Sequence, residues 1–285
     1  MEFSTRLTYR IKEQVRSENR TQAQIEREIE KSIDLYRNWY QNELSIGNTP
    51  TSILAEGDSW FRYIVGKGVV FYIEKLLNID VLNLAYPGDE VRDMLTLKQK
   101  KRLIRELNRG PAPRKKYDYF IFSGGGNDLV GIDRFYKWLT PYEQGMEAKD
   151  CLNMGTLKHE LSVLEAGYKE IIKIRDAHSP NTVLLTHGYD YAIPDGRGVC
   201  GKGPWLKPGL EDRKIPVKLR REVVRLFLLE FAAILERISN NRDVIFVPTQ
   251  GTLSDSDWAN ELHPKNLGFK KIAAKYIECL QIENA

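Results

Sequence analysis

Ser59 stands in the run Ala55-Glu56-Gly57-Asp58-Ser59-Trp60, and Ile53 and Leu54 lead into it with apolar side chains. The segment reads as a strand ending in a sharp turn. Gly57 permits close backbone approach, and Ser59 falls where a strand's carboxyl end faces a crevice, so it is the leading nucleophile candidate. A Gly-Asp-Ser turn taken alone is also an ordinary turn or helix N-cap. Two more glycine-containing turns follow apolar runs: Asn83-Leu84-Ala85-Tyr86-Pro87-Gly88 after Val81, and Ser123-Gly124-Gly125-Gly126-Asn127-Asp128 after Tyr119-Phe120-Ile121-Phe122. A histidine lies near the C-terminus in Asp257-Trp258-Ala259-Asn260-Glu261-Leu262-His263-Pro264.

In this order the serine, glycine, asparagine and histidine blocks resemble the SGNH (GDSL-type) hydrolase family, whose signature residues map onto Ser59, Gly88, Asn127 and His263. The resemblance covers roughly residues 53 to 280. It implies a flavodoxin-like α/β fold and acyl transfer by a serine. An oxyanion hole is implied as well, built from the Ser59 and Gly88 backbone N–H groups and the Asn127 side-chain amide. The chemistry asks for such parts, because a serine hydroxyl needs a base to take its proton and donors to hold the oxyanion that forms. His263 is the best base candidate, since an imidazole with an ordinary pKa near 6.5 is mostly neutral at pH 7. Gly88 lacks a Cβ and lets backbone come close to a substrate.

One position departs from the family's pattern. Asn260 stands three residues before His263, where the family usually has aspartate. A neutral amide can hydrogen-bond an imidazole but brings no charge to the imidazolium, and the expectation is that it selects the wrong tautomer; the comparable change in a serine protease triad lowers kcat by about 10⁴. Three explanations stay open: Asp257 or Glu261 substitutes, a Ser59-His263 dyad with a backbone carbonyl suffices, or Asn260 is inactivating. Among the other histidines, His159 and His178 read as surface residues, while His187 at a strand end is balanced between substrate contact and core hydrogen bond. Trp60, His187, Tyr189 and Trp205 are the candidate substrate contacts. Asp58 and Asp128 read as turn-stabilising carboxylates and Asp89 and Glu90 as a helix start. No spacing of His, Cys or carboxylates suggests a metal, and no cofactor is implied.

The elements that position these groups follow from periodicity. Apolar runs at 52 to 56, 80 to 84, 117 to 123, 181 to 187 and 243 to 247 predict parallel strands buried on both faces. Leu157, Leu161, Leu164, Tyr168 and Ile171 mark one helix, Val224, Leu228, Phe231, Leu235 and Ile238 another, and Phe269, Ile272, Tyr276 and Leu280 a last one. Alternating strands and helices predict a doubly wound, mostly parallel five-stranded sheet flanked by helices, with the site at the strands' carboxyl ends. Residues 1 to 50 read as an N-terminal arm before a hydrolase domain at 51 to 285. Phe3, Leu7, Tyr9 and Ile11 alternate like a strand, Thr21 opens a capping box, and Ile25, Ile29, Ile33, Tyr36, Tyr40 and Leu44 form a helical stripe ended by Gly47 and Asn48. That stripe packs on its own domain or serves as a homo-oligomer or protein-partner arm.

With 285 residues, 42% hydrophobic and 29% charged, the chain has the composition of a soluble globular protein, and a net charge of +4 gives no reason to expect nucleic acid. No apolar run approaches the roughly 20 residues of a membrane span, no secretory leader pattern opens the sequence, and Cys151, Cys200 and Cys279 cannot all pair, so the expectation is cytoplasmic. Nine Lys or Arg against the single Glu106 between Lys98 and Lys116 form either a solvated helix face or a contact for an anionic lipid, glycan or phosphate. Aromatic residues at 129 to 152 and 188 to 216 suit a substrate rim, a lid or plain packing. The expected activity is a serine esterase for a carboxylic ester with a short acyl group. The substrate is a small molecule, a lipid or an acylated glycan. A phospholipase or lysophospholipase at a membrane, and a catalytically impaired module with a partner-binding arm, are the alternatives.

Overall fold

The computed structural model describes residues 22–63, 66–130, 134–199, 201–240 and 242–280. The strand-like segment at Phe3 to Ile11, Thr21 and Cys200 lie outside the described residues. In chain order the main elements are α1 (Gln22–Ser45), β1 (Ile53–Gly57), α2 (Val69–Leu77), β2 (Leu82–Asn83), α3 (Val91–Met94), α4 (Leu97–Arg109), β3 (Tyr119–Ser123) and α5 (Gly126–Val130), followed by α6 (Met154–His178), β4 (Val183–His187), α7 (Lys207–Asp212), α8 (Val217–Ile238), β5 (Val244–Val247) and α9 (Asn266–Cys279).

The strands form one parallel five-stranded sheet in the order β2-β1-β3-β4-β5. Every residue of β1 is buried, as expected of a strand covered on both faces by helices. In this order the chain reverses direction of winding between β1 and β3, which opens a crevice beyond their carboxyl ends. Gly57 ends β1 opposite Ser123 of β3, and a Cβ on Gly57 would come within 2.6 Å of the Ser123 carbonyl oxygen. Only glycine lets the two strand ends meet there. α2 packs on α9, α4 on α6, and α6 on α8, so each helical stripe meets another helix or the sheet.

β2 is shorter than the apolar run at 80 to 84 suggests. Asn83 Oδ1 accepts the Ala85 N–H at 3.0 Å, and the Arg62 guanidinium donates to the carbonyls of Asn83 at 2.6 Å and Ala85 at 2.7 Å, which bends the chain out of regular extension. The segment still tracks β1, because Leu84 N–H donates to Ala55 O and Tyr86 N–H to Gly57 O, each at 2.8 Å. Gly88 is thereby delivered beyond the end of β1. At the far edge, Val244 N–H donates to Asn240 Oδ1 at 3.1 Å, Phe246 N–H to Ser239 Oγ at 3.2 Å, and Val244 O accepts the Asn240 N–H at 3.0 Å.

The described part of the arm packs on its own chain. α1 buries Ile29, Ile33, Tyr36, Trp39 and Tyr40 against β2 and Tyr117, whose ring stacks on Tyr36 at 6.2 Å. Its acidic side chains meet α4: Glu26 pairs with Arg102 at 3.0 Å and Lys98 at 3.2 Å, Glu30 with Arg105 at 3.0 Å, and Arg37 reaches back to Glu106. Lys100 pairs with Glu170 at 2.6 Å, and Lys116 Nζ donates to the carbonyls of Leu107, Asn108 and His178. The basic segment is thus largely engaged within the chain. Among the described residues no helix is long and apolar enough to cross a membrane.

Candidate active site

Ser59 Oγ lies 2.8 Å from His263 Nε2, although the two residues are 204 positions apart. The other imidazole nitrogen, Nδ1, faces Asn260 Oδ1 at 3.0 Å. Asn260 Oδ1 also accepts the backbone N–H groups of Leu262 at 3.0 Å and His263 at 2.9 Å, while its Nδ2 donates to the Tyr63 hydroxyl at 3.1 Å. Two backbone donors fix which end of the amide is the oxygen. Nδ1 therefore carries the imidazole proton, and Nε2 presents its lone pair to the Ser59 hydroxyl. The wrong-tautomer expectation for an asparagine at this position does not apply to this arrangement.

The two carboxylates weighed as substitutes are engaged elsewhere. Asp257 Oδ2 takes Lys271 Nζ at 2.7 Å and caps Ser254 at 2.8 Å. Glu261 accepts four backbone N–H groups, from Gly196 at 3.0 Å, Trp205 at 2.5 Å, Leu206 at 2.8 Å and Lys207 at 3.0 Å. Neither is brought to the imidazole. Sequence spacing points to both because they lie close to Asn260 along the chain, but Ser254 and Lys271 hold Asp257, and the backbone N–H groups at 196 and 205 to 207 hold Glu261, away from the ring. Burial pushes the His263 imidazole down to about 3, so it is neutral at any ordinary pH, and among the described residues no anion adjoins it to favour its protonation.

Gly88 sits at φ +90°, a conformation glycine adopts without strain, and no atom lies within 4 Å of where its Cβ would be. Among the described residues the N–H groups of Ser59 and Gly88 have no acceptor within the chain. Asn127 Nδ2 donates one N–H to Asp89 O at 2.8 Å, which fixes the amide and leaves its second N–H for another acceptor.

Beneath Ser59, Asp58 is buried and does more than hold its own turn. Its Oδ1 accepts Trp60 N–H and Ser123 Oγ–H, each at 3.0 Å, and its Oδ2 accepts the Tyr189 hydroxyl at 2.6 Å. Desolvation nonetheless raises it to about 6. Desolvation likewise raises Asp89 to about 7, Asp128 to about 7 and Glu56 to about 8. Asp128 Oδ2 accepts the Val91 N–H at 3.0 Å and so holds the start of α3, and Asp89 accepts Gln99 at 2.6 Å.

The four expected substrate contacts divide. Trp60 and Tyr189 line a cavity beside Ser59 and His263, together with Leu129, Val130, Phe227, Phe231 and Trp258. Trp60 is also pinned, its ring N–H donating to Leu262 O at 2.9 Å. His187 is fully buried, stacked on Phe61 and bonded to Ser123 Oγ at 2.9 Å, and burial pushes it down to about 3; it is outside the cavity lining and belongs to the core. Trp205 is outside that lining too, but its ring meets the His263 ring edge-on at 6.0 Å. Of the loop aromatics, Phe135 and Trp138 are buried packing residues rather than a rim. Sequence reasoning missed Tyr63, which stacks on His263, and the anchoring of Glu261. Phe231 was legible only as one mark of a helical stripe.

No protein-family model and no curated protein matches the chain. Its backbone is similar to that of several solved structures. The lipase Lip_vut3 from a goat rumen metagenome is 15% identical, over 81% of this chain and 98% of that one, with a TM-score of 0.53. An extracellular lipase from Streptomyces rimosus is 18% identical over 81% and 98%, with a TM-score of 0.50. Phospholipase A1 from Streptomyces albidoflavus NA297 is 13% identical over the same shares, with a TM-score of 0.50. At such identities the likeness is one of fold.

Proposed function

We propose that this chain, built on the SGNH hydrolase fold, is a serine esterase that cleaves a carboxylic ester through an acyl-enzyme. The observation that carries the reading is the continuous chain Ser59 Oγ, His263 Nε2, His263 Nδ1, Asn260 Oδ1 at the mouth of an apolar cavity. In the first step Ser59 Oγ bonds to the ester carbonyl carbon while its proton passes to His263 Nε2. The carbonyl oxygen, now an oxyanion, is held by the Ser59 and Gly88 N–H groups and the free Asn127 N–H. Collapse of the tetrahedral intermediate breaks the bond to the alkoxide, which leaves with the proton from Nε2. Water then gives a proton to the same nitrogen and bonds to the acyl carbon; collapse breaks the bond to Ser59 Oγ, which takes the proton back from Nε2, and the carboxylic acid leaves.

The small size of the cavity supports a short acyl group, and its apolar walls suit an acyl chain. Its open space of about 40 Å³ beside Ser59 is room for about three water molecules. Of the basic segment, Lys115 lies by Asp118 and the amino ends of the strands, away from Ser59, and Arg102 and Arg105 are paired with α1. A fluorophosphonate should label Ser59, and Ser59→Ala should abolish both labelling and hydrolysis of p-nitrophenyl acetate. Rates should fall as the acyl chain lengthens from acetyl to octanoyl. Labelling at another residue, or turnover that survives Ser59→Ala, would overturn the reading.

A further inference from the structure

The Tyr63 ring lies against the His263 ring with centroids 4.6 Å apart and an angle of 25°, and the Tyr63 hydroxyl accepts the Asn260 amide. Tyr63 is buried, and the face of an aromatic ring attracts a cation that stacks on it. The imidazole acquires a positive charge only during turnover, when it takes the Ser59 proton. It then has a neutral amide at Nδ1 and the Tyr63 face against its plane. We propose that Tyr63 is a positioning residue whose ring stabilises the His263 imidazolium, the task that an aspartate performs where one stands at the position of Asn260. This rests on the esterase reading above.

The groups facing the imidazole from the packed elements are few. Asn260 and Tyr63 touch it, Trp205 meets it edge-on, and Ser59 hydrogen-bonds to it. The carboxylates of the shared cavity, Asp58 and Asp190, are bound to other donors: Tyr189, Ser123 and Trp60 hold Asp58, and the N–H groups of Tyr191, Gly251 and Leu253 hold Asp190. Asp257 and Glu261 are occupied as described. Among the described residues no anion contacts the ring, which leaves the aromatic face as its electrostatic partner.

The test separates ring from hydroxyl and charge from packing. Tyr63→Phe keeps the ring and should hold kcat within about threefold. Tyr63→Leu removes the ring and should lower kcat about five- to thirtyfold with KM unchanged, the range that a cation–aromatic contact spans between exposed and desolvated settings. An equal loss in both variants would overturn the proposal. A second readout is independent of turnover. In the Asn260→Asp background, where the imidazole titrates in an accessible range, NMR should find the His263 pKa lower in Tyr63→Leu than with the ring present. A ring that only packs would give the opposite sign, because its removal lets water in and raises a pKa that burial depresses. A rise would therefore overturn the proposal, whether or not the protein turns over esters. A wild-type chain without Ser59-dependent turnover would defeat the esterase reading alone, and the sign of the NMR shift would still decide the role of the ring.

Discussion

Asn260→Asp puts a carboxylate against an imidazole that has none, and the size of its effect depends on what the amide already does. In the protease precedent the loss of about 10⁴ reflects a wrong tautomer. Here Asn260 Oδ1 is held toward Nδ1 by the Leu262 and His263 N–H groups, so the tautomer is already correct and only charge is missing. A unit charge about 4 Å from the imidazolium is worth about 4 kcal/mol at an effective dielectric of about 20. Asn260 is 1% exposed, so burying the new carboxylate offsets part of this, although two backbone donors are already in place for it. A net gain of about 1.5 to 3 kcal/mol remains, or roughly 10- to 150-fold in kcat/KM. The same interaction raises the imidazole pKa, because an adjacent anion favours its charged form. Activity needs neutral His263, so it should persist in the wild type down toward the His263 value of about 3, and the acid limb of the variant should lie higher. Steady-state kinetics with p-nitrophenyl acetate between pH 2.5 and 8 would measure both. A gain near 10⁴ would mean that the amide does not hold the tautomer in solution, and an unchanged acid limb would mean that charge at this position is not felt by the ring.

Two further outcomes follow from buried carboxylates. Glu261→Ala strands four backbone N–H groups, of which water reaches those at the half-buried Gly196, Trp205 and Lys207, so we expect a loss of about 3 kcal/mol and a Tm lower by roughly 6 to 12 °C; calorimetry within 1 °C of wild type would refute the anchoring role. Glu56, Asp89 and Asp128 are raised to about 8, 7 and 7 by burial, so the folded chain holds protons that the unfolded chain releases, and stability should fall as pH rises from about 6.5 to 8.5. His187 and His263 are depressed to about 3, so their contribution is lost only as pH falls below the unfolded value near 6.5 and is silent in that window. Glu56→Gln should remove much of the alkaline decline in Tm, and a decline of undiminished slope would count against a protonated Glu56.

The sheet was legible because strands covered on both faces leave short apolar runs that polar turns interrupt. The runs around Ile53, Phe120, Leu184 and Val244 each contain an observed strand, and the helical stripes at 157 to 171 and 224 to 238 fall inside α6 and α8. β2 was overextended because nothing in 80 to 84 announces that Arg62 takes the carbonyls of Asn83 and Ala85. The juxtaposition of Ser59 with His263 was legible through the ordered motif blocks rather than through any local pattern. What replaces the missing aspartate was not legible. Whether Asp257 or Glu261 faces the ring depends on a turn whose geometry is set by one amide oxygen accepting two N–H groups, and Tyr63 reads as an ordinary aromatic in a connection. Such roles arise from contacts across the fold, which spacing along the chain does not encode.

The margins of the sheet bear on how the molecule meets others of its kind. A parallel sheet that ends in bare strands offers its outer N–H and C=O groups as a template on which a foreign strand can grow, the route to edge-to-edge aggregation and amyloid. On one side the template is a two-residue strand covered by α1, with the Arg62 guanidinium seated on the carbonyls of Asn83 and Ala85. On the other, Ser239 and Asn240 occupy the outer groups of Val244 and Phe246, a side-chain clasp supplied by the tail of the preceding helix. Strand addition would have to displace a bound cation at one margin or an asparagine turn at the other. Among the described residues, both margins of the sheet are thus closed to strand addition by groups that the chain supplies itself, so growth from either edge would first have to break these contacts.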